Sequence, residues 1–192
     1  MNPERWTHLC IDMQRMFAES TPWQVAWIPK VFDQVAEVAT RFPDRTIFTR
    51  FVTPSSPEEM PGMWRPYYEK WPMMTTGELD PALVDLVPDL KRLVPPARIF
   101  DKTTYSPWTG GRLHNALVHQ DIGSLVVTGG ETDICVLAAT LGAIDLGYKV
   151  VLLKDALWST TDQTHDASLE LLGNRFSVQV EVINTEEWLS SL

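Results

Sequence analysis

Six short apolar runs, Thr7 to Ile11, Thr46 to Phe51, Ala97 to Phe100, Ser124 to Thr128, Lys149 to Leu153 and Val178 to Ile183, are spaced so that helical stretches fall between them. Strands that alternate with helices pair in parallel, because each return to the same sheet edge needs a crossover of a dozen or more residues. The chain therefore reads as α/β with a mostly parallel sheet. Between the first two runs Val25, Ile28, Val31, Phe32, Val35, Val38 and Ala39 recur at helical spacing, with Pro29 marking a kink or the true first turn. One side of that helix should cover the sheet. Further helices are expected over Arg112 to His119, Ile134 to Leu146 and Asp162 to Leu172, followed by Asp-Ile-Gly, Gly and Gly-Asn stop chemistry, with a last amphipathic turn over Glu186 to Leu192. The stretch Thr53 to Thr76 breaks the rhythm with five prolines, four aromatics (Trp64, Tyr67, Tyr68 and Trp71) and no clean period. It reads as a long functional or interface loop.

At 192 residues, one domain spanning 1–192 is expected, long enough to bury a core without disulfides or structural metal. Only two cysteines occur, Cys10 and Cys135, in no metal-binding or disulfide pattern, which fits a reducing cytoplasm. The start Met1-Asn2-Pro3-Glu4-Arg5 does not resemble a secretion signal, and no apolar run reaches membrane-spanning length, so no membrane association is expected. The net charge of −9 argues against nucleic acid as a partner. Eight tryptophans are many for this length, and Trp64, Trp71 and Trp108 lie in loop-like sequence where bare rings are unfavourable. They are expected to line a pocket or a subunit interface.

Ligands of open parallel sheets bind beyond the carboxyl ends of the strands, which directs attention to the residues there. Asp12 follows the first run, Lys102 follows Ile99-Phe100-Asp101, and Cys135 follows the fourth run after the Gly129-Gly130 turn. A carboxylate to take a proton, an ammonium to hold the resulting charges and a thiol to attack an acyl carbon make a nucleophilic site. Cys135 also stands at a helix start, where the unpaired N–H groups should make its thiol easier to ionise. Backbone N–H groups around Glu131 and Cys135 are candidates for an oxyanion hole. Taken alone, Cys135 reads as a small buried helix residue, Asp12 as a helix cap and Lys102 as a solvated strand end; their value lies in the constellation. Cys10 reads as core, and Asp101, pointing away from Lys102 along an extended strand, as one end of a structural ion pair. His165, near a helix start, reads as a capping or packing residue.

The pieces Leu9-Cys10-Ile11-Asp12-Met13-Gln14, Phe100-Asp101-Lys102-Thr103-Thr104-Tyr105-Ser106 and Val127-Thr128-Gly129-Gly130-Glu131-Thr132-Asp133-Ile134-Cys135-Val136 together resemble the isochorismatase-like cysteine hydrolases, which include nicotinamidases and N-carbamoylsarcosine amidases. The resemblance covers nearly the whole chain. It implies a three-layer, doubly wound, six-stranded parallel sheet with helices on both faces. It also implies an Asp12, Lys102 and Cys135 triad, a cis peptide between Gly130 and Glu131 that turns the Glu131 N–H toward the oxyanion, and a homo-oligomer, dimer or tetramer. The implied activity is that of a cysteine amidohydrolase cleaving a C–N bond, amide or ureido, of a small molecule through a thioester acyl-enzyme, without a cofactor.

Two departures from relatives of this kind matter. Nicotinamidases of the superfamily carry an Asp and two His after the second strand as metal ligands, whereas this chain has Thr49-Arg50-Phe51-Val52-Thr53-Pro54 and no histidine between His8 and His114. A metal-independent reaction is therefore expected. Relatives that hydrolyse the vinyl ether of isochorismate use the Asp without needing the cysteine, so Cys135 favours amide over ether chemistry. A vinyl-ether hydrolase relying on Asp12, and a non-catalytic binding protein on the same fold, are the alternatives. Phe17, Trp64, Tyr105 and Trp108 are candidates for a dry pocket wall, with core or interface packing as the competing role. Gln14 either faces the pocket two residues beyond Asp12 or satisfies backbone groups.

Overall fold

The computed structural model describes all of residues 1–192. Six strands form one sheet: β1 (Asn2–Ile11), β2 (Thr46–Phe51), β3 (Arg98–Lys102), β4 (Ile122–Gly130), β5 (Lys149–Trp158) and β6 (Val180–Ile183). Every adjacent pair is parallel, and the lateral order is β3-β2-β1-β4-β5-β6. Eight α-helices accompany them: α1 (Arg15–Ala18), α2 (Ile28–Arg41), α3 (Trp64–Lys70), α4 (Pro88–Lys91), α5 (Arg112–His119), α6 (Leu137–Asp145), α7 (Asp162–Arg175) and α8 (Thr185–Ser190).

The period-2 alternation of the strands divides the interior into two halves. Cys10, Phe48, Val126 and Val151 face one side, where Val31, Val35 and Val38 of α2 and Trp188 of α8 cover them. Leu9, Ile47, Leu125, Val127 and Leu152 face the other, against Leu113 and Leu117 of α5, Ala139 and Ala143 of α6 and Leu172 of α7. A sheet buried on both faces requires the near-continuous apolar strands that the sequence carries. This is the three-layer α/β fold expected. Pro29 falls in the first turn of α2 rather than at a kink.

Two expectations about elements need correction. The segment from Thr53 to Thr76 is not a structureless loop: 3-10 turns at Pro57–Glu59 and Pro72–Met74 flank α3. The helix is only seven residues long and buries one of them, Tyr68, which is too little to print a period. The Gly-Asn pair also fails to end α7, which runs on to Arg175 with Gly173 passing close to Val182 of β6.

The chain builds outward from β1 to β3, then returns to lay β4 against the other side of β1 and builds outward the opposite way. Connections on the two sides therefore diverge at the β1/β4 boundary, and the crevice beyond their carboxyl ends is where such sheets hold ligands.

Candidate active site

Asp12, immediately after β1, has a left-handed backbone (φ 50°) and is almost wholly buried. Thr49 of β2 fixes it twice: the Asp12 N–H donates to Thr49 Oγ1 at 3.1 Å, and the Thr49 hydroxyl donates to Asp12 Oδ1 at 2.5 Å. The other carboxylate oxygen accepts from Lys102 Nζ at 2.7 Å. Lys102 ends β3, two strands away, and its side chain crosses that distance. Its ammonium also donates to the Thr104 carbonyl at 3.3 Å, lies 3.6 Å from Cys135 Sγ and sits 5.0 Å from the centre of the Phe51 ring. Side-chain exposures of 3% for Lys102 and 1% for Asp12 make this a dry ion pair.

Cys135 stands on a π-helical turn, Thr132–Val136, that leads into α6. The turn is admitted by two glycines at the end of β4. At Gly129 (φ 96°) a Cβ would lie 2.0 Å from the Ile11 carbonyl oxygen, and at Gly130 it would lie 2.3 Å from the Trp158 ring. Only residues without a side chain let β4 press between β1 and β5 here. The Gly130–Glu131 peptide is cis. The Glu131 carbonyl accepts from the N–H groups of Ile134 and Val136, whereas the Glu131 N–H donates no hydrogen bond within the protein. Thr132, next along, anchors the turn through its hydroxyl to the Trp158 carbonyl and His165 Nδ1. His165 is thus a packing and hydrogen-bonding residue.

The electrostatics reverse one expectation. Burial pushes the Cys135 thiol well above its ordinary pKa, the Asp12 carboxylate pushes it further, and the Lys102 ammonium only partly offsets them. A helix-start field acts over about one turn and is weak beside the loss of water around a nearly sealed sulfur. Burial also works against the Lys102 ammonium, but Asp12 and Cys135 outweigh it and hold the lysine above its ordinary range. The arrangement is a thiol beside a preformed carboxylate–ammonium pair.

A cavity of about 290 Å³ opens onto Asp12 and Cys135. Phe17 of α1, Phe51 of β2 and Trp158 of β5 give it a buried aromatic floor, and Trp23, Tyr67, Trp71 and Tyr105 add half-buried rings. Of the expected wall residues, Phe17 and Tyr105 line it and three do not. Gln14 is consumed by the backbone: its amide donates to the carbonyls of Phe51 and Val84 and accepts from the Phe51 N–H. Trp108 points into the other half of the core, donating to the Ala139 carbonyl and stacking on Tyr148 with centroids 5.6 Å apart. Trp64 lines a neighbouring shallow hollow with Met63, sharing Tyr67 and Tyr105 with the cavity. Reading from sequence missed Trp23 and Tyr67 as wall residues, whereas Trp71, expected at a pocket or a subunit interface, does line the cavity. The one available signal was the density of aromatics in turn-rich sequence. Asp101 is held by Arg50 through two hydrogen bonds of 2.8 and 2.9 Å, as a structural ion pair. Cys10 is sealed in the core with its thiol pushed up to about 12 by burial.

The end of β2 offers nothing that suits a metal ion. Arg50 is tied to Asp101 and Asp85, Phe51 covers Lys102, and no group of three His, Cys, Asp or Glu side chains gathers with ligating geometry.

A doubly wound, six-stranded parallel sheet of this kind is shared with known proteins. Residues 7–187 match the isochorismatase domain model, and the chain belongs to the isochorismatase family. Isochorismatase family protein 1A of Dictyostelium discoideum is 40% identical over 74 residues, covering 38% of this chain and 36% of that protein. The alignable part thus spans about a third of the length of that relative. A cysteine hydrolase from Pseudomonas syringae superposes with a TM-score of 0.82 at 21% identity, over 99% of this chain and 93% of that one. An N-carbamoylsarcosine amidase from Thermoplasma acidophilum superposes with a TM-score of 0.75 at 16% identity, over 94% and 96%. At these identities the solved structures bear on the fold alone. No helix is long and apolar enough to cross a membrane.

Proposed function

We propose that this protein is a metal-independent cysteine hydrolase that cleaves an amide or ureido C–N bond of a small molecule through a thioester at Cys135. The observation that carries the reading is the meeting of Cys135 Sγ, Lys102 Nζ and the Asp12 carboxylate at the floor of an apolar cavity. The thiol is the resting form. As Sγ bonds to the substrate carbonyl carbon, its proton passes to Asp12, and the carbonyl oxygen gains the charge. The free Glu131 N–H and that of Cys135 are the donors assigned to that oxygen. Collapse of the tetrahedral adduct breaks the C–N bond, and the proton on Asp12 goes to the departing nitrogen. Water then attacks the thioester with Asp12 again as base, releasing the acid and restoring the thiol. Lys102 keeps Asp12 oriented and carries the balancing positive charge throughout.

Intact-mass spectrometry after exposure to a panel of small amides and ureides tests this directly. An acyl adduct on Cys135 and ammonia or amine in solution are expected, both absent from Cys135→Ala. Turnover by Cys135→Ala at the parent rate would overturn covalent catalysis. It would favour a reaction run by Asp12 alone.

A further inference from the structure

The cavity beside Cys135 carries one charge that nothing neutralises. Asp12 is matched by Lys102, but Glu131, also among the residues lining the cavity and bonded through its carboxylate to the lining residue Thr160, makes no ion pair. It accepts from the Thr160 N–H at 3.0 Å and from the Thr160 hydroxyl. No arginine or lysine is among the residues lining the cavity. Burial raises the Glu131 carboxyl above the usual range, and the hydrogen bonds from Thr160 offset this only in part while the Asp133 charge adds to it.

The aromatic walls point the same way. Trp23 lies among rings inclined at different angles: Phe17 at 6.2 Å and 10°, Tyr67 at 6.0 Å and 41°, and Trp71 at 6.3 Å and 70° between centroids and planes. These four rings pack on one another and all line the cavity, and the negative face of an aromatic quadrupole attracts a weakly hydrated cation within about 6 Å of its centre. Lys70 shows the preference on the outside of this group, with its exposed ammonium 5.4 Å from the Trp71 ring.

Resting on the acyl-transfer reading above, we propose that the site selects amides or ureides carrying a positive charge, an alkylammonium above all, held by the rings around Trp23 and balanced by Glu131. Substrates bearing a carboxylate are rejected, because they would meet Glu131 with no free cation to pair with.

Two thiol reagents of matched size give a test that needs no turnover. Trimethylammonioethyl and sulfonatoethyl methanethiosulfonate each place a thioethyl group on a thiol and release methanesulfinate, one carrying a positive charge and the other a negative one. Labelling of Cys135 is followed by intact mass at one alkaline pH, normalised to each reagent's rate with a small free thiol, with Cys135→Ala as background. The cationic reagent is expected to be favoured about tenfold or more beyond its intrinsic advantage. Glu131→Gln, which retains an acceptor for Thr160, and Trp23→Leu should each cut that preference by about threefold or more. Equal labelling, a preference for the anion, or a preference unchanged in both variants would overturn the proposal. Trimethylammonioacetamide and its neutral isostere tert-butylacetamide separate the two readings. Hydrolysis that favours the neutral amide sinks the charge selection and leaves the hydrolase. Cation-selective labelling without hydrolysis of either amide does the reverse.

Discussion

Asp12 has two duties that pull against each other, and this gives a signature at the scale of one residue. In the reaction proposed above it accepts the thiol proton, yet its charge also keeps the Cys135 thiol protonated. Replacing it by asparagine leaves the Lys102 ammonium buried 3.6 Å from the sulfur without its carboxylate. The nearest group able to supply a counter-charge is then the thiolate. Asp12→Asn should therefore abolish hydrolysis while making Cys135 more reactive, with iodoacetamide labelling near neutral pH faster by about tenfold or more. In the parent, labelling should climb only as pH rises into the alkaline range, because burial and Asp12 both favour the thiol. A variant that labels no faster than the parent would mean that Asp12 does not control the thiol proton. The same substitution breaks a buried ion pair, so a loss of about 3–5 kcal/mol in a urea titration is expected alongside it.

At the scale of elements, α3 is the piece that sequence periodicity did not reveal and the cavity depends on. It delivers Tyr67 to the wall and anchors itself by Tyr68, which is fully buried with a hydroxyl that finds no partner. An unsatisfied buried hydroxyl costs free energy that a phenylalanine of the same shape does not. Tyr68→Phe is expected to raise stability by about 1 kcal/mol, or a few degrees in Tm, with activity retained. A lower melting temperature in differential scanning calorimetry would show that the hydroxyl does have a partner in solution. The core strands were legible because burial on both faces demands unbroken apolar runs, and Asp12, Lys102 and Cys135 were legible because they follow three of those runs. What lay beyond was direction. Gln14 turns to the backbone of β2, and Trp108 turns to Tyr148, through local geometry that residue type does not encode. Trp23, in the turn-rich link between α1 and α2, carries no period at all, and only the fold brings it to the site.

At the scale of the whole molecule, the two halves of the sheet are joined by a residue that the chemistry does not use. His8 sits in β1, fully buried, with Nδ1 3.0 Å from Thr46 Oγ1 of β2 and Nε2 2.8 Å from Thr128 Oγ1 of β4. It thereby stitches the central strand to a neighbour on either side, across the boundary where the chain reverses its direction of growth. Burial lowers its pKa from 6.5 to about 3, so the fold holds the ring neutral. The unfolded chain binds a proton near pH 6.5 that the folded chain refuses. The stability His8 contributes is therefore complete above 6.5 and falls as pH drops toward 3. Between pH 7 and pH 5 this one group should remove about 2 kcal/mol from the unfolding free energy. His165, lowered by burial in the same sense, adds to the slope, so the parent alone does not isolate the effect. Urea titrations of the parent and His8→Gln at both pH values do isolate it. The variant is expected to be less stable at pH 7, having lost a fitted pair of hydrogen bonds, but to lose about 2 kcal/mol less than the parent on going to pH 5. Parallel losses in the two proteins would mean that His8 already carries its proton inside the sheet, and that the two threonine hydroxyls stabilise a cation there.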